Sequence, residues 1–221
     1  MKKLQTIGLL GGTFDPIHLG HTSIAAHIAA TCGLNKVFLI PNYQQPSSKT
    51  VIASATQRLE MVKLAVADQP ALAACDIEII RQGKSHTIDT LIAMRKKHPQ
   101  ASISFLLGED AFHALDQWPR HEEFLSLCHL IIINRNSHNK LLSKNLEQLV
   151  EKHQSYSSEE TQQLKYGKIL LQHIEEIDIN STQIRQGINQ KDILNHLSQP
   201  VYDYIKQQGL YKGNGDDSRH Y

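Results

Sequence analysis

An excess of charge of either sign is missing from this chain. Lys and Arg number 23 against 22 Asp and Glu, a net charge of +1 with histidine neutral. So close a balance makes no field for a nucleic-acid backbone or a membrane surface, and neither is expected as a partner. Cysteine is scarce: Cys32, Cys75 and Cys128 lie far apart with no CxxC pair. That spacing argues against a disulfide framework and against a cysteine-based metal centre. Each sits in an apolar run and is expected as a small buried hydrophobe. No apolar run is long enough for a membrane span, and the stretch after Met1-Lys2-Lys3 is too brief for a secretory signal. A soluble, cytoplasmic chain is expected. The GxGxxG fingerprint is also missing, so a resident dinucleotide is not favoured. At 221 residues the chain can bury one core without staples. One domain is expected over 1–211, its C-terminal part helical from about 180, with a polar tail at 212–221.

What is present is an alternation. Short apolar runs at 6–10, 37–40, 75–80, 103–107, 127–133 and 169–171 read as strands. The stretches 54–68, 87–98 and 110–117 read as helices between them. Continuous apolar strands alternating with helices predict an α/β fold, a doubly wound, Rossmann-like parallel sheet covered on both faces. Residues 134–158 read as a surface helix flanked by loops, with a stripe of Leu141, Leu142, Leu146 and Leu149. Ser198, Pro200 and Gly209 punctuate a last helix.

The junction of the first strand and first helix carries the most chemistry. It reads Gly11-Gly12-Thr13-Phe14-Asp15-Pro16-Ile17-His18-Leu19-Gly20-His21. Glycines let backbone approach a ligand closely. A helix start offers unsatisfied N–H groups and the positive end of a dipole. His18 and His21, at i and i+3, share a face and can address one anion. Together these predict a phosphate site. A plain tight turn is the simpler alternative, and HxxH is also half of a metal site. The next candidate ligand, His27, lies two turns away.

This run resembles the HxGH element of the nucleotidyltransferase superfamily, in the form seen in bacterial nicotinate-nucleotide adenylyltransferases. Further segments agree with the resemblance. Asn180-Ser181-Thr182-Gln183-Ile184-Arg185 is similar to that family's ISSTxIR element, with Asn180 for its first serine. By residue type alone it is a capped helix with a surface arginine. By resemblance, Ser181 and Thr182 offer donors to the ATP phosphates and Arg185 neutralises the triphosphate. Gly108-Glu109-Asp110 ends a strand, where open α/β sheets bind ligands. Asp110 suits either a helix cap or a ribose hydroxyl, and the family has a similar GxD there. The single tryptophan, Trp118, suits a core. The resemblance instead implies stacking on the pyridine ring of a mononucleotide. His86 and Thr87, in a segment resembling YTxDTL, fall near that ring. By type, Thr87 is a helix N-cap with Thr90 at N3.

Pro41 to Lys49 departs from the family's PxxxPPHK pattern: Ser47 and Ser48 stand at the basic pair, and Lys49 falls one residue late. Arg58 matches a family arginine and reads as a brace for the loop. The resemblance implies adenylyl transfer from ATP to nicotinate mononucleotide, with pyrophosphate released. His18, His21 and Arg185 are the expected catalytic residues. Gly11, Gly12, Thr13, Phe14, Ser181, Thr182, Lys49, Gly108 and Asp110 are expected on ATP and its phosphates. Trp118, His86, Thr87 and Asp15 are expected on the mononucleotide. Mg²⁺ is expected on the phosphates, with no dedicated protein metal site. A homo-oligomer is compatible with the sequence. Nicotinamide mononucleotide or phosphopantetheine remain as other acceptors, and an idle nucleotide sensor remains as another class. A synthetase-like RNA-charging module is disfavoured by the neutral charge and the lack of a KMSKS-like loop.

Lys49 is expected to replace the missing basic pair. Lys49→Ala should raise the KM for ATP and leave the mononucleotide KM nearly unchanged. An unaltered ATP KM in steady-state kinetics would show that the loop contact has been dispensed with.

Overall fold

The computed structural model describes residues 4–45, 50–134, 142–174 and 179–211; Lys49 and the 212–221 tail lie outside them. β1 (Thr6–Gly12) leads through α1 (Leu19–Thr31), β2 (Lys36–Pro41) and α2 (Ala55–Val66) to a short β3 (Leu72–Ala74). Then α3 (Ile77–Arg81) and α4 (Thr87–Lys97) precede β4 (Ser102–Gly108). α5 (Glu109–His113) and α6 (Phe124–Leu127) precede β5 (His129–Asn134). α7 (Lys144–His153), the tiny β6 (Gln154–Ser155) and α8 (Ser158–Gln163) precede β7 (Ile169–His173). α9 (Ser181–Gln186), α10 (Lys191–Leu194) and α11 (Gln199–Gln207) follow.

The strands form one seven-stranded sheet, β3-β2-β1-β4-β5-β7-β6, with parallel pairs throughout. This is the expected Rossmann-like α/β architecture. Strand order turns between β1 and β4, and a crevice opens beyond the carboxyl ends of the strands at such a point. Gly12 closes β1 and Gly108 closes β4 at that edge.

The strands hold their place because consecutive side chains face opposite layers. In β5, Leu130 and Ile132 enter one core while Ile131 and Ile133 enter the other. In β4, Ile103, Phe105 and Leu107 face one side and Leu106 the other. α1, α2 and the C-terminal helices cover the first core through Ile28, Val62, Ile184 and Ile205. α4, α6 and α7 cover the second through Leu91, Met94, Phe124 and Leu146. Each fully buried side chain of this size contributes roughly 1.5–3 kcal/mol of transfer free energy. Among the described residues, no helix is long and apolar enough to cross a membrane.

The structure corrects several element assignments. The run at 75–80 is not a strand. Extended pairing stops at Cys75, whose N–H donates to Leu39 O at 3.0 Å. The chain then turns into α3, where Glu78 is buried and Ile80 is 73% exposed. The strand in that region is Leu72–Ala74, three residues held by pairing with β2 rather than by propensity. Leu127 ends α6 and so is not part of β5. The 110–117 helix breaks at His113 into a 3₁₀ turn. His86, not Thr87, is the N-cap of α4. Thr90 is therefore at N4, one residue further in, and its hydroxyl donates to Glu78.

Buried polar groups fasten the amino ends of the strands, away from the crevice. The Arg95 guanidinium donates to the carbonyls of Leu127, His98, Ala101 and Lys165 at 2.6–3.2 Å. His129 is fully buried. Its Nδ1 accepts from Lys168 N at 3.1 Å, and its Nε2 lies 3.0 Å from Leu164 O. The ring is therefore neutral with its proton on Nε2. Burial pushes its pKa down from 6.5 to about 4. Below pH 6.5 the unfolded chain takes up a proton that the folded ring refuses. Stability from this group is complete above that pH and falls as pH drops towards 4, by up to about 3 kcal/mol. Urea midpoints at pH 7 and pH 5 should diverge less in His129→Gln than in wild type. Equal divergence would remove His129 from the acid response.

Candidate active site

Two cavities open at the carboxyl edge of the sheet. The first, about 440 Å³, is lined by Ile40, Phe105, Trp118 and Phe124 together with the polar Asn42, Glu78, Ser85, His86, Thr87 and Thr90. Gly11 and Gly12 form its floor beside Thr13. The second, about 550 Å³, is more polar and gathers Phe14, Asp15, His18, His21, Ser181, Thr182 and Arg185. Thr13 and Gln45 line both.

The histidine pair is built by the turn that precedes it. Phe14 adopts a left-handed φ of 51°, and the Asp15–Pro16 peptide is cis. A bulky residue in that region costs on the order of 1–3 kcal/mol unless its surroundings hold it. Here the ring is 2% exposed and lies on Gly12, where a Cβ would come within 2.9 Å of it. The Phe14 ring meets His21 edge-on at 5.0 Å, and the His21 and His18 rings lie 3.8 Å apart. His18 is the N-cap of α1, and its N–H donates to His21 Nδ1 at 3.3 Å. That bond leaves the ring proton of His21 on Nε2. Gly20 completes the pair, since a Cβ there would stand 3.0 Å from His18 Cε1 and Nδ1.

α9 closes the second cavity. Asn180 caps it: its Oδ1 accepts from Gln183 N at 3.0 Å, and Gln183 Oε1 accepts from Asn180 N at 2.9 Å. Asparagine performs the capping the serine of the resembled pattern would perform. Arg185 Nη1 donates to Asp15 O at 2.6 Å and Nη2 to Thr182 Oγ1 at 3.1 Å. The guanidinium is thereby fixed against the histidine loop. Ser181 Oγ gives its proton to Pro16 O at 3.0 Å, so its hydroxyl ties α9 to the loop.

Asp15 differs from its expected place on the mononucleotide. It is 2% exposed, and its carboxylate accepts from Ile52 N, Ala53 N and Tyr211 Oη at 2.8, 3.0 and 2.6 Å. Burial and the Asp15 carboxylate push the Tyr211 hydroxyl up. Arg58 braces the same region by donating to Thr13 O, Tyr43 O and Ala53 O, and burial pushes its pKa down. Gly11 and Gly12 line the first cavity rather than the second. Gly108 and Asp110 stand at the end of β4 outside both linings, with Asp110 exposed. Among the described residues no group of three His, Cys, Asp or Glu side chains could hold a metal ion.

Several wall residues have no counterpart in the sequence reading. Glu78 lines the first cavity and is engaged by Thr90 and, at 3.9 Å, by Arg81. Ser85 Oγ accepts from Tyr43 N at 2.9 Å and joins the two loops that frame that cavity. Tyr211 was equally invisible, because nothing local marks it; Gln45 was passed over within the Pro41–Lys49 stretch.

The sheet, its crevice and the histidine-arginine cavity fit the nucleotidyltransferase class, and the relatives show it. The chain matches the cytidylyltransferase-like family over residues 9–187 and belongs to it. Relatives narrow the assignment. A Psychromonas ingrahamii protein named "probable nicotinate-nucleotide adenylyltransferase" is 39% identical over 209 residues, 94% of this chain and 98% of that one. A Serratia proteamaculans protein of the same name is 39% identical over 92% of this chain and 94% of its own. Within the wider family, then, the chain is a member of the nicotinate-nucleotide adenylyltransferases. The Plasmodium falciparum nicotinic acid mononucleotide adenylyltransferase complexed with NaAD shares the fold. Its TM-score is 0.68 at 20% identity, over 93% of this chain and 96% of that one.

Gly20 offers a clean test of the histidine geometry. Gly20→Ala should leave the melting temperature equal or higher, since alanine is the better helix former by about 1 kcal/mol. It should lower turnover about tenfold or more by displacing His18. Unchanged turnover would show that the His18 ring position is not critical.

Proposed function

We propose that this chain transfers the adenylyl group of ATP to nicotinate mononucleotide, forming nicotinate adenine dinucleotide and pyrophosphate for NAD biosynthesis. The observation that carries this reading is the adjacency of the two cavities. One is aromatic and flat-walled; the other is polar and holds two histidines and an arginine; they meet at Thr13 and Gln45. A pyridine ring suits the first, stacked on Trp118. A triphosphate suits the second.

The substrate phosphate is itself the nucleophile. Its oxygen bonds to the α-phosphorus of ATP as the bond from that phosphorus to the bridging oxygen of the β-phosphate breaks. No protein nucleophile is required, so catalysis consists of positioning and charge stabilisation. His21, with its proton on Nε2, and His18 stabilise the α-phosphate as charge builds there. Arg185, held by Asp15 O and Thr182, neutralises the departing pyrophosphate. Mg²⁺ would accompany the nucleotide, held by its phosphates rather than by this chain, and would supply charge neutralisation. Both Asp15 oxygens are already engaged by protein donors, and the donor set offers the metal no cage. In this reading residues 1–211 act as one catalytic domain. The three free, buried cysteines suit a reducing cytoplasm.

The start of α4 bears on substrate choice. His86 and Thr87, its cap and first residue, line the pyridine cavity. Unsatisfied N–H groups and a positive dipole end favour a carboxylate. An amide would turn its own donor towards those donors and lose about 1–3 kcal/mol. Pyrophosphate release with ATP should therefore be at least about tenfold more efficient on nicotinate than on nicotinamide mononucleotide. Comparable efficiency would overturn that preference. In the same assay His21→Ala should lower turnover about 10²–10³-fold. Near-normal turnover would remove His21 from the transition state.

A further inference from the structure

The point where the cavities meet is chemically specific. Thr13 and Gln45 are the two residues that line both cavities. Thr13 Oγ1 donates to Gln45 Oε1 at 2.6 Å. The Thr13 bond sets the carboxamide's orientation, and Gln45 Nε2 donates to no described residue. Gln45 itself is half-buried and belongs to a backbone anchored elsewhere. Gln44, its neighbour, bridges to Lys84, and Ser85 N donates to Gln44 O at 2.9 Å.

Adenylyl transfer requires the attacking phosphate and the α-phosphate to meet in one place. With the mononucleotide in the first cavity and the triphosphate in the second, the shared wall is that place. Both phosphates bring negative charge, and a neutral N–H₂ donor at the seam lowers their mutual repulsion without holding either too tightly. Proline, which the resembled PxxxPPHK pattern carries at this position, has no side-chain donor. This chain also has serines where that pattern has its basic pair.

We propose that Gln45 is a catalytic residue of this chain: its Nε2 donates to the phosphate oxygens at the point of transfer, with Thr13 Oγ1 fixing the carboxamide. The proposal rests on the adenylyl-transfer reading above. The bond that forms joins the mononucleotide phosphate oxygen to the α-phosphorus, and the bond that breaks releases pyrophosphate. Gln45 moves no proton and stabilises charge on the oxygens in between.

Gln45→Met isolates this role. It keeps the side-chain length and the neutral charge and removes the N–H₂ donor, whereas a glutamate would repel both phosphates whatever Gln45 does. If Gln45 merely filled the wall, this variant would behave as wild type. We expect kcat to fall about 10²-fold or more. The mononucleotide concentration that half-saturates the Trp118 fluorescence change should shift much less, since the ring still stacks. Gln45→Ala should show the same split between kcat and binding, and thermal melting checks that both variants fold. A kcat within about threefold of wild type in both variants would overturn the proposal. So would a loss confined to mononucleotide binding with kcat retained. Wild-type turnover with ATP and nicotinate mononucleotide, run alongside, separates the two claims. A silent wild type overturns the reaction and the Gln45 role with it. An active wild type with unaffected variants overturns the Gln45 role alone.

Discussion

Everything at the carboxyl edge depends on one buried carboxylate. Asp15 is enclosed with almost no solvent contact, a position that is costly unless every acceptor is met. Three donors meet it: the N–H groups of Ile52 and Ala53 before α2, and the hydroxyl of Tyr211. Arg58, equally buried, collects the carbonyls of Thr13, Tyr43 and Ala53 around the same point. Asp15 O receives Arg185. One residue thus joins the first loop, the start of α2, α9 and the end of the described chain. Removing a donor from such a group leaves a buried acceptor unmet, at roughly 1–3 kcal/mol. The left-handed Phe14 and the histidines that follow it keep their orientation because this knot does not yield.

The two ends of the sheet are fastened by different chemistry. At the amino ends, Arg95 and His129 are saturated with backbone carbonyls and amides, and nothing is left over to address a ligand. At the carboxyl ends, His21 and Arg185 are oriented by backbone groups, and with His18 they line a cavity. Histidine serves both purposes in one chain. What separates the roles is where the ring sits: His129 lies deep at the amino ends of the strands, and His18 and His21 line a cavity at the carboxyl ends.

Much of this was legible in the residues because the informative signals are local. Alternating apolar strands disclosed the parallel sheet. The Gly11–His21 run and the Asn180–Arg185 run disclosed the second cavity, each being a contiguous segment with its own cap. Trp118 was found through resemblance rather than through physics, since one tryptophan by itself suits a core equally well. The failures share a cause. Asp15 looked like a ligand residue because its partners, Ile52, Ala53 and Tyr211, are remote in sequence. The 75–80 run looked like a strand because β-branched side chains favour one, and only packing against α4 decides otherwise. Glu78 carries no motif; the fold alone brings it to a cavity wall.

The Tyr211 bond to Asp15 spans 196 positions of sequence. A protein is made from its amino end, so the loop that contains the first motif leaves the ribosome long before its last partner does. β1, α1 and β2 can pair as soon as they emerge, yet the Asp15 knot stays one donor short until residue 211 has been synthesised. The chain's earliest functional loop is therefore among the last parts to reach its final form.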